Sequence, residues 1–459
     1  MIPEKFMNRM ALLLGEEYES FKKELEHGSS VRAVRINTLK SKVDAFLEST
    51  TLALSEIPYA DDGFILREAD GIGNTPEHHA GMIYVQDPGA MSTVNAAEIK
   101  PGMWVLDMCA APGGKSGQAA AKLCGEGFLL SNEFVPKRAK ITVSNFERLG
   151  IKNAVVTSLD TKELPKLFCE AFDLIIADVP CSGEGMFRKD CADELEWSEE
   201  NVELCAKRQL EILNNAPSLL KPDGHLLYST CTYSLEENEM VIDEFLSNHP
   251  EFELVPVKEK VRTSTRDGIN FANARTKNLE LCRRFYPHVS PGEGQFMALL
   301  RKKGESAKMP TVLYKNKPAV PSRSEMDIIG KFIKENLISA PDAEFVKQGE
   351  NIVLISHGMP IPPYSVFSSG VLLGKIEKGI ISPAHHFFSA YGELFLRKEE
   401  LSNSKERLDA YLHGEEITAE HISGSGWCVL TYKGASIGGG KLSSGRIKNH
   451  YPKGLRTKA

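Results

Sequence analysis

Nowhere in this chain do apolar residues run on for the roughly 18–20 positions that a membrane-spanning helix needs. The first residues, Met1-Ile2-Pro3-Glu4-Lys5-Phe6-Met7, also lack the basic-then-apolar order of a secretory leader, so the expected location is cytoplasmic. Cysteine is scarce: nine in 459 residues, an odd number, with no Cys-x-x-Cys pair. That argues against a disulfide framework and against a structural zinc site, and nothing else calls for a metal. Each remaining thiol is either a packing group or a reactive one, and its neighbours must decide which. Positive charge is not in excess either, since 55 Lys and Arg face 62 Asp and Glu, a net charge of −7. A protein coated in basic residues is excluded, although a local patch is enough to hold phosphates.

What is present is ordinary for a globular protein, with 42% hydrophobic and 25% charged residues. A chain of this length is expected to divide into about two to four domains. Residues 1–80 read as mixed helix and strand, with Val31 to Thr38 alternating apolar and polar. Residues 81–303 alternate short apolar strands, Met103–Met108, Gly127–Ser131, Ala154–Thr157, Phe172–Ala177 and His225–Ser229, with helical stretches. One such stretch carries Val202, Ala206, Leu210 and Leu213 at helical spacing until Pro217 interrupts it. The alternation predicts an α/β, doubly wound, Rossmann-like domain with a mostly parallel sheet. A proline-marked linker (Pro310, Pro318, Pro321) follows, then a unit at 325–395 with the strand Asn351–Ile355, and a last unit at 396–459 with the strand Trp427–Tyr432.

Strand Met103–Met108 runs straight into Cys109-Ala110-Ala111-Pro112-Gly113-Gly114-Lys115-Ser116 and a helix. Glycines at a strand-to-helix turn let backbone approach a ligand, and the helix start favours negative charge. Gly-Lys-Ser is also how a P-loop ends, and Phe172 to Asp178 mimics the apolar strand whose Asp holds magnesium, so an ATPase is a rival reading. The P-loop needs a glycine where Cys109 stands, and Pro112 is a poor wrapper of phosphates. Glu133, ending the second strand, is an acid suited to the ribose hydroxyls of a nucleoside ligand.

Two further signals end the fourth and fifth strands: Asp178-Val179-Pro180-Cys181-Ser182-Gly183-Glu184-Gly185 and Ser229-Thr230-Cys231-Thr232. Both open onto the crevice that holds the glycine loop, which brings one acid and two thiols beside it. A single such cysteine would read as a small buried hydrophobe; two on functional loops argue otherwise. Together with Asp107 to Lys115, these motifs resemble the RNA 5-methylcytosine methyltransferases of the NOL1/NOP2/Sun family over about residues 30–300. Arg35-Ile36-Asn37-Thr38-Leu39-Lys40 is similar to that family's N-terminal signature.

The resemblance implies a class I methyltransferase domain flanked by an N-terminal α+β RNA-binding domain and a C-terminal PUA-like RNA-binding domain, with S-adenosyl-L-methionine as cofactor. Carbon 5 of cytosine is a weak nucleophile until a thiolate adds to carbon 6. Either cysteine suits that role by chemistry alone, and DNA cytosine methyltransferases use the one after Pro, which is Cys181 here. The family resembled uses the Thr-Cys residue, which makes Cys231 the nucleophile and Cys181 the residue of the release step. Asp178 would bond the cytosine N3/N4 edge. By the same resemblance Cys109, Ala110, Ala111, Pro112, Gly113, Gly114 and Lys115 cradle the cofactor, Glu133 takes its ribose, Asp178 also borders it, and Asp160 lies near the adenine, with loop-capping the alternative for Asp160.

From Lys433 through Lys441, Arg446, Lys448, Lys453, Arg456 and Lys458 there is no acid. Interleaved with Tyr451, Pro452 and glycines, the run reads as a folded RNA-contacting surface rather than a solvated tail. Gly439 to Arg456 resembles the PUA-like end of bacterial RsmF-type enzymes, which implies 16S ribosomal RNA, in the small subunit, as substrate. Transfer RNA remains the alternative substrate, and a non-catalytic RNA-binding scaffold the alternative class. The expected state is a monomer with RNA as partner and neither DNA nor membrane. Every expected cofactor residue precedes position 180, so loss of the last unit is expected to spare cofactor binding.

Overall fold

The computed structural model describes residues 2–457 apart from 69–70, 190–196, 306–308 and 316–317. Its largest feature is a ten-stranded sheet. Trp104–Asp107 stands near its middle, parallel to Phe128–Asn132 on one side and to Phe172–Asp178 on the other. Ala154–Thr157 extends the first wing and Leu220–Thr230 the second, both in parallel. Gln295–Lys302 then runs antiparallel beside Leu220–Thr230. The chain therefore winds away from Trp104–Asp107 in both directions, and a crevice opens where the strand order reverses. The expected doubly wound sheet is present.

These strands are apolar on both faces because helices cover both. One cluster joins Phe128, Phe172 and Tyr228 to Leu213, Ile242 and Phe245. The other joins Val105, Leu129 and Ile176 to Ala119, Leu123, Phe146 and Leu149. Each large side chain removed from water in these layers contributes roughly 1.5–3 kcal/mol before entropy is counted. Helix Glu199–Leu213 starts at Ser198, whose hydroxyl accepts from the Asn201 amide at 3.1 Å. Its Val202 and Leu213 are buried and its Ala206 and Leu210 half-buried, as the helical spacing predicts. Pro217 sits in the first turn of the short helix Ala216–Leu219, and the chain then enters its strand at Leu220, five residues before the expected His225.

The N-terminal segment divides its loyalties. Helices Glu4–Leu14 and Tyr18–His27 send Phe6, Met10, Phe21 and Leu25 against Phe187, Trp197, Tyr233 and Tyr286 of the central domain. Strand Ala33–Ile36 sits inside a four-stranded antiparallel sheet with Leu54–Ile57, Ala60–Leu66 and Ile83–Val85. That last strand lies beyond residue 80, because the apolar Ile83-Tyr84-Val85 pairs backwards rather than opening the next unit. Its sheet shares one apolar cluster with the far end of the chain, joining Val34, Ile36, Phe64 and Ile83 to Leu408, Tyr411, Leu430, Ile447 and Tyr451.

The C-terminal third contains a four-stranded sheet (Glu344–Gln348, Asn351–Ile355, Val371–Glu377, Ile380–Pro383) and a five-stranded one built around Gly426–Tyr432 and Ala435–Ser443. The residues between Asn351–Ile355 and Val371–Glu377 do not stay with their own sheet. Strand Val366–Ser369 crosses to pair antiparallel with Ala154–Thr157 at the edge of the central sheet, a long-range pairing that no local pattern announces.

Candidate active site

The glycine loop follows strand Trp104–Asp107. Gly113 has φ 105°, in the region that favours glycine, and a Cβ there would stand 3.3 Å from Thr142 Cγ2. Helix Gly114–Leu123 begins at once and turns its unpaired first amides towards the loop. Buried Asp107 accepts from Ser116 Oγ at 2.6 Å and from the Cys109 amide at 3.3 Å, and burial pushes its carboxyl up to about 7. Burial, reinforced by Asp107, Asp178 and Glu133, pushes the Cys109 thiol well up, which marks it as a packing group. Ser116 is therefore turned back into the domain, and Lys115 forms an ion pair with Asp178, so neither is offered to a phosphate chain. This geometry disfavours the ATPase reading.

Glu133 is 3% exposed and accepts from the Ala111 amide at 3.3 Å and the Val135 amide at 2.9 Å, with Arg138 at 3.6 Å. It thus reaches the loop from the neighbouring strand, as a ribose acceptor would. Asp160 behaves differently. It caps the turn Thr161–Lys166, accepting from the Lys162 amide at 3.1 Å and pairing with Lys162 Nζ at 2.9 Å. The capping alternative describes its contacts here.

At the ends of Phe172–Asp178 and Leu220–Thr230 the two loops are laced together. The Val179 amide donates to Ser229 O at 3.1 Å and the Gly185 amide to Cys231 O at 2.8 Å. Between them Cys181 Sγ and Cys231 Sγ lie 3.2 Å apart, and the Cys231 amide lies 3.4 Å from Cys181 Sγ. Its hydrogen bond with Cys231, and then burial, push the Cys181 thiol well up, so it holds its proton. Asp178 is gripped by Lys115 Nζ at 2.8 Å and by Ser229 Oγ at 2.7 Å. Burial alone would push the Lys115 ammonium down, but the Asp178 carboxylate outweighs it and holds the group above its usual range. Glycine loop, Asp178, Cys181 and Cys231 thus form one constellation. Sequence reasoning missed Glu184 and Glu237, buried carboxylates behind the thiols, because no spacing rule marks an acid whose ligands are loop hydroxyls.

Arg35, from the N-terminal signature, is 1% exposed and donates to Gln86 Oε1 at 2.7 Å and to Gly114 O at 2.8 Å. Asn37 Nδ2 donates to Gly81 O and Leu149 O, and Lys40 Nζ reaches Ser389 Oγ at 3.1 Å. These three side chains brace the glycine loop and its surroundings from inside. The basic run is also mixed. Lys433 pairs with Glu77 at 3.2 Å, Arg446 with Glu416, and Arg456 donates to Tyr451 O. Tyr451 is buried, while Lys441, Lys448 and Lys453 remain exposed; Lys458 lies outside the described residues.

Three family models match this chain. They describe the 16S rRNA methyltransferase RsmB/F over residues 94–301, the N-terminal domain of 16S rRNA methyltransferase RsmF over 2–88, and the methyltransferase RsmF PUA domain over 398–457. Among curated relatives, ribosomal RNA small subunit methyltransferase F of Erwinia tasmaniensis is 31% identical over 439 residues, covering 92% of this chain and 90% of that one. The protein of the same name from Vibrio vulnificus is 33% identical over 443 residues, covering 92% and 91%. A methyltransferase homolog protein from Pyrococcus horikoshii superposes with a TM-score of 0.58 at 30% identity, over 65% of this chain and 95% of its own. NSun6 from the same organism gives 0.56 at 22% identity, over 66% and 99%, a likeness of fold alone.

Proposed function

The chain belongs to the ribosomal RNA small subunit methyltransferase F family, and from that premise we propose that it forms 5-methylcytosine in 16S ribosomal RNA. It is an S-adenosylmethionine-dependent RNA methyltransferase. The reading of its chemistry is carried by one observation, the 3.2 Å contact between Cys181 Sγ and Cys231 Sγ beside Asp178. A methyltransferase acting on a nitrogen or a ribose oxygen has no use for a pair of thiols there. Carbon 5 of a pyrimidine does, because addition of one thiolate at carbon 6 makes it nucleophilic.

The residues present suit the cofactor. The loop Cys109 to Gly113 offers small side chains and a helix start, and Glu133 stands over it with a buried carboxylate. When bound, S-adenosylmethionine supplies a methyl group on a positively charged sulfur. Cys231 is the nucleophile: its sulfur adds to carbon 6 of the flipped cytosine. Asp178, held by Lys115 and Ser229, bonds the N3/N4 edge and steadies the ring as it gains electron density. After methylation a water in the crevice takes the carbon-5 proton, the carbon–hydrogen pair closes the carbon 5–carbon 6 double bond, and the carbon–sulfur bond breaks with its electron pair returning to Cys231. Cys181 keeps its proton and can aim its S–H at the departing sulfur, which favours release. Asp160 serves the adenine only if its lysine partner yields.

The enzyme acts as a monomer in the cytoplasm, and RNA is held by the exposed Lys441, Lys448 and Lys453. We assign chemistry to the central unit, expected at 81–303, and RNA recognition to the terminal units, expected at 1–80 and 396–459. The N-terminal sheet reaches past residue 80 to Val85, and the unit at 325–395 lies in sequence between the central and last units. Bisulfite mapping of 16S ribosomal RNA treated with the purified enzyme and S-adenosylmethionine tests the reading. A new protected cytosine is expected; methylation found only on another atom or only on transfer RNA would overturn it.

A further inference from the structure

Behind the two thiols the same loops touch again, one residue further on. Ser182 Oγ lies 2.9 Å from Thr232 Oγ1, a second rung beside the Cys181–Cys231 contact. Each hydroxyl also meets a carboxylate on its outer side. Thr232 Oγ1 is 2.9 Å from Glu184 Oε2, and Ser182 Oγ contacts Glu237 Oε1. The result is a row of four oxygens, Glu237–Ser182–Thr232–Glu184, with three hydrogen-bonding contacts. Two hydroxyls supply only two hydrogens. If both carboxylates are ionised, each draws one, and the Ser182–Thr232 rung is left as two lone pairs face to face at 2.9 Å.

A third proton is needed, and the surroundings say where it resides. Glu184 is ringed by donors: Trp197 Nε1 at 2.9 Å and Ser234 Oγ at 2.7 Å on one oxygen, the Tyr233 amide at 2.9 Å and Thr232 on the other. That set suits an ionised acceptor. On Glu237, Oε2 accepts from the Ser182 amide at 3.0 Å and Gln209 Nε2 at 2.8 Å, but Oε1 has only the Ser182 hydroxyl. A hydrogen on Glu237 Oε1 lets every member donate once along the row: Glu237 to Ser182, Ser182 to Thr232, Thr232 to Glu184. Burial, against the opposing hydrogen bonds of Ser182, pushes the Glu237 carboxyl up to about 7. The titratable groups facing it are Glu184 and Cys181 on one loop, Tyr228 on the strand below and Cys205 on helix Glu199–Leu213.

We propose that Glu237 is a positioning residue whose protonated form completes this row and thereby clamps the Cys181 loop to the Cys231 loop. The inference rests on the covalent reading given above. Losing the proton leaves the Ser182–Thr232 rung without a hydrogen, loosens the clamp and withdraws the Cys181 thiol from the sulfur it helps to release.

Glutamine at this position is a mimic of the acid form. Its oxygen can take the Ser182 and Gln209 donors while its amide donates permanently to Ser182 Oγ. The experiment measures the denaturation-resistant protein–RNA adduct in the full chain, with 16S ribosomal RNA and S-adenosylmethionine, between about pH 6 and about pH 8.5. The wild-type adduct fraction is expected to rise about fivefold across that window, as the clamp loses its proton. Glu237→Gln should hold a low adduct fraction at every pH, and Glu237→Ala a high one. Binding of S-adenosylhomocysteine should be the same in all three, which confirms that each is folded. If Glu237→Ala does not fold, the comparison of Glu237→Gln with wild type still decides. A Glu237→Gln profile that tracks the wild type, or that matches Glu237→Ala, overturns the proposal. Cys181→Ala run alongside separates the two failures: with no adduct there, the covalent reading itself falls, whereas adduct there and none of the Glu237 pattern rejects only the clamp.

Discussion

The Tyr451 hydroxyl lies 2.7 Å from Nδ1 of His79, so the end of the chain is fastened to the N-terminal sheet across 372 residues of sequence. The contact sits within an apolar cluster shared by both ends, and Lys433 adds bonds to Ser49 O and Glu77. The two terminal units are one packed body. Removing 396–459 would bare Val34, Ile36, Phe64 and Ile83, residues on the sheet whose Arg35 braces Gly114. The truncated chain should therefore unfold at lower temperature and bind S-adenosylhomocysteine more weakly, contrary to the expectation that cofactor binding is spared. Tyr451→Phe, which removes only the hydroxyl, should cost about 1 kcal/mol in denaturant unfolding. Unchanged stability in both would mean that the junction is not a shared core.

Charge substitution tests RNA binding without that damage. Lys441, Lys448 and Lys453 are exposed on the last sheet and the turn that follows it. Changing all three to Gln should weaken binding to 16S ribosomal RNA and flatten its salt dependence by about 0.7 log units per log of salt for each lost single-strand contact. A salt slope equal to that of the wild type would remove these lysines from the interface. Lys433 and Arg446, held by Glu77 and Glu416, should contribute less to the slope.

Cys231→Ala should abolish methylation and form no adduct. Cys181→Ala should still attack, methylate and then stall, because the departing sulfur loses the thiol that stands 3.2 Å away. Denaturing gels of RNA mixed with each variant read the difference directly, and adduct in the Cys231 variant alone would exchange the two roles.

Acid should loosen the packing around four histidines, His78 and His79 beside the N-terminal sheet and His385 and His386 on helix His385–Tyr391. Burial pushes His78 and His385 down to about 3 and His79 and His386 down to about 4. Each folded-state value lies below the ordinary histidine value, so between the two the unfolded chain binds more protons. Stability from these groups is complete above about pH 6.5 and is lost as pH falls towards 4 and then 3. His386 shows why, since its neutral ring reaches Ile151 O at 3.0 Å while Nδ1 has no partner and a charge there would be bare. Melting curves at about pH 7.5 and about pH 5 should differ, and His386→Gln should narrow the gap. Equal melting temperatures at the two values would show that the cluster does not titrate on folding.

Much of the chemistry was legible because it is written in contiguous residues. The glycine loop, the Pro-Cys loop and the Thr-Cys loop each announce themselves in under ten positions, and alternating apolar strands and helices then bring all three to one crevice. Strand positions were recovered to within a few residues for the same reason, since burial on both faces leaves an apolar run. What tertiary structure alone decided is where distant pieces meet. Arg35, Asn37 and Lys40 lie within six residues, yet they reach Gly114, Leu149 and Ser389. Strand Val366–Ser369 joins a sheet whose other strands belong to the central domain. Ser182 and Thr232 find each other only because their strands are neighbours in space. Local periodicity states which face of an element is apolar, but the partner of that face, and the register of the contact, is set by packing the whole chain at once.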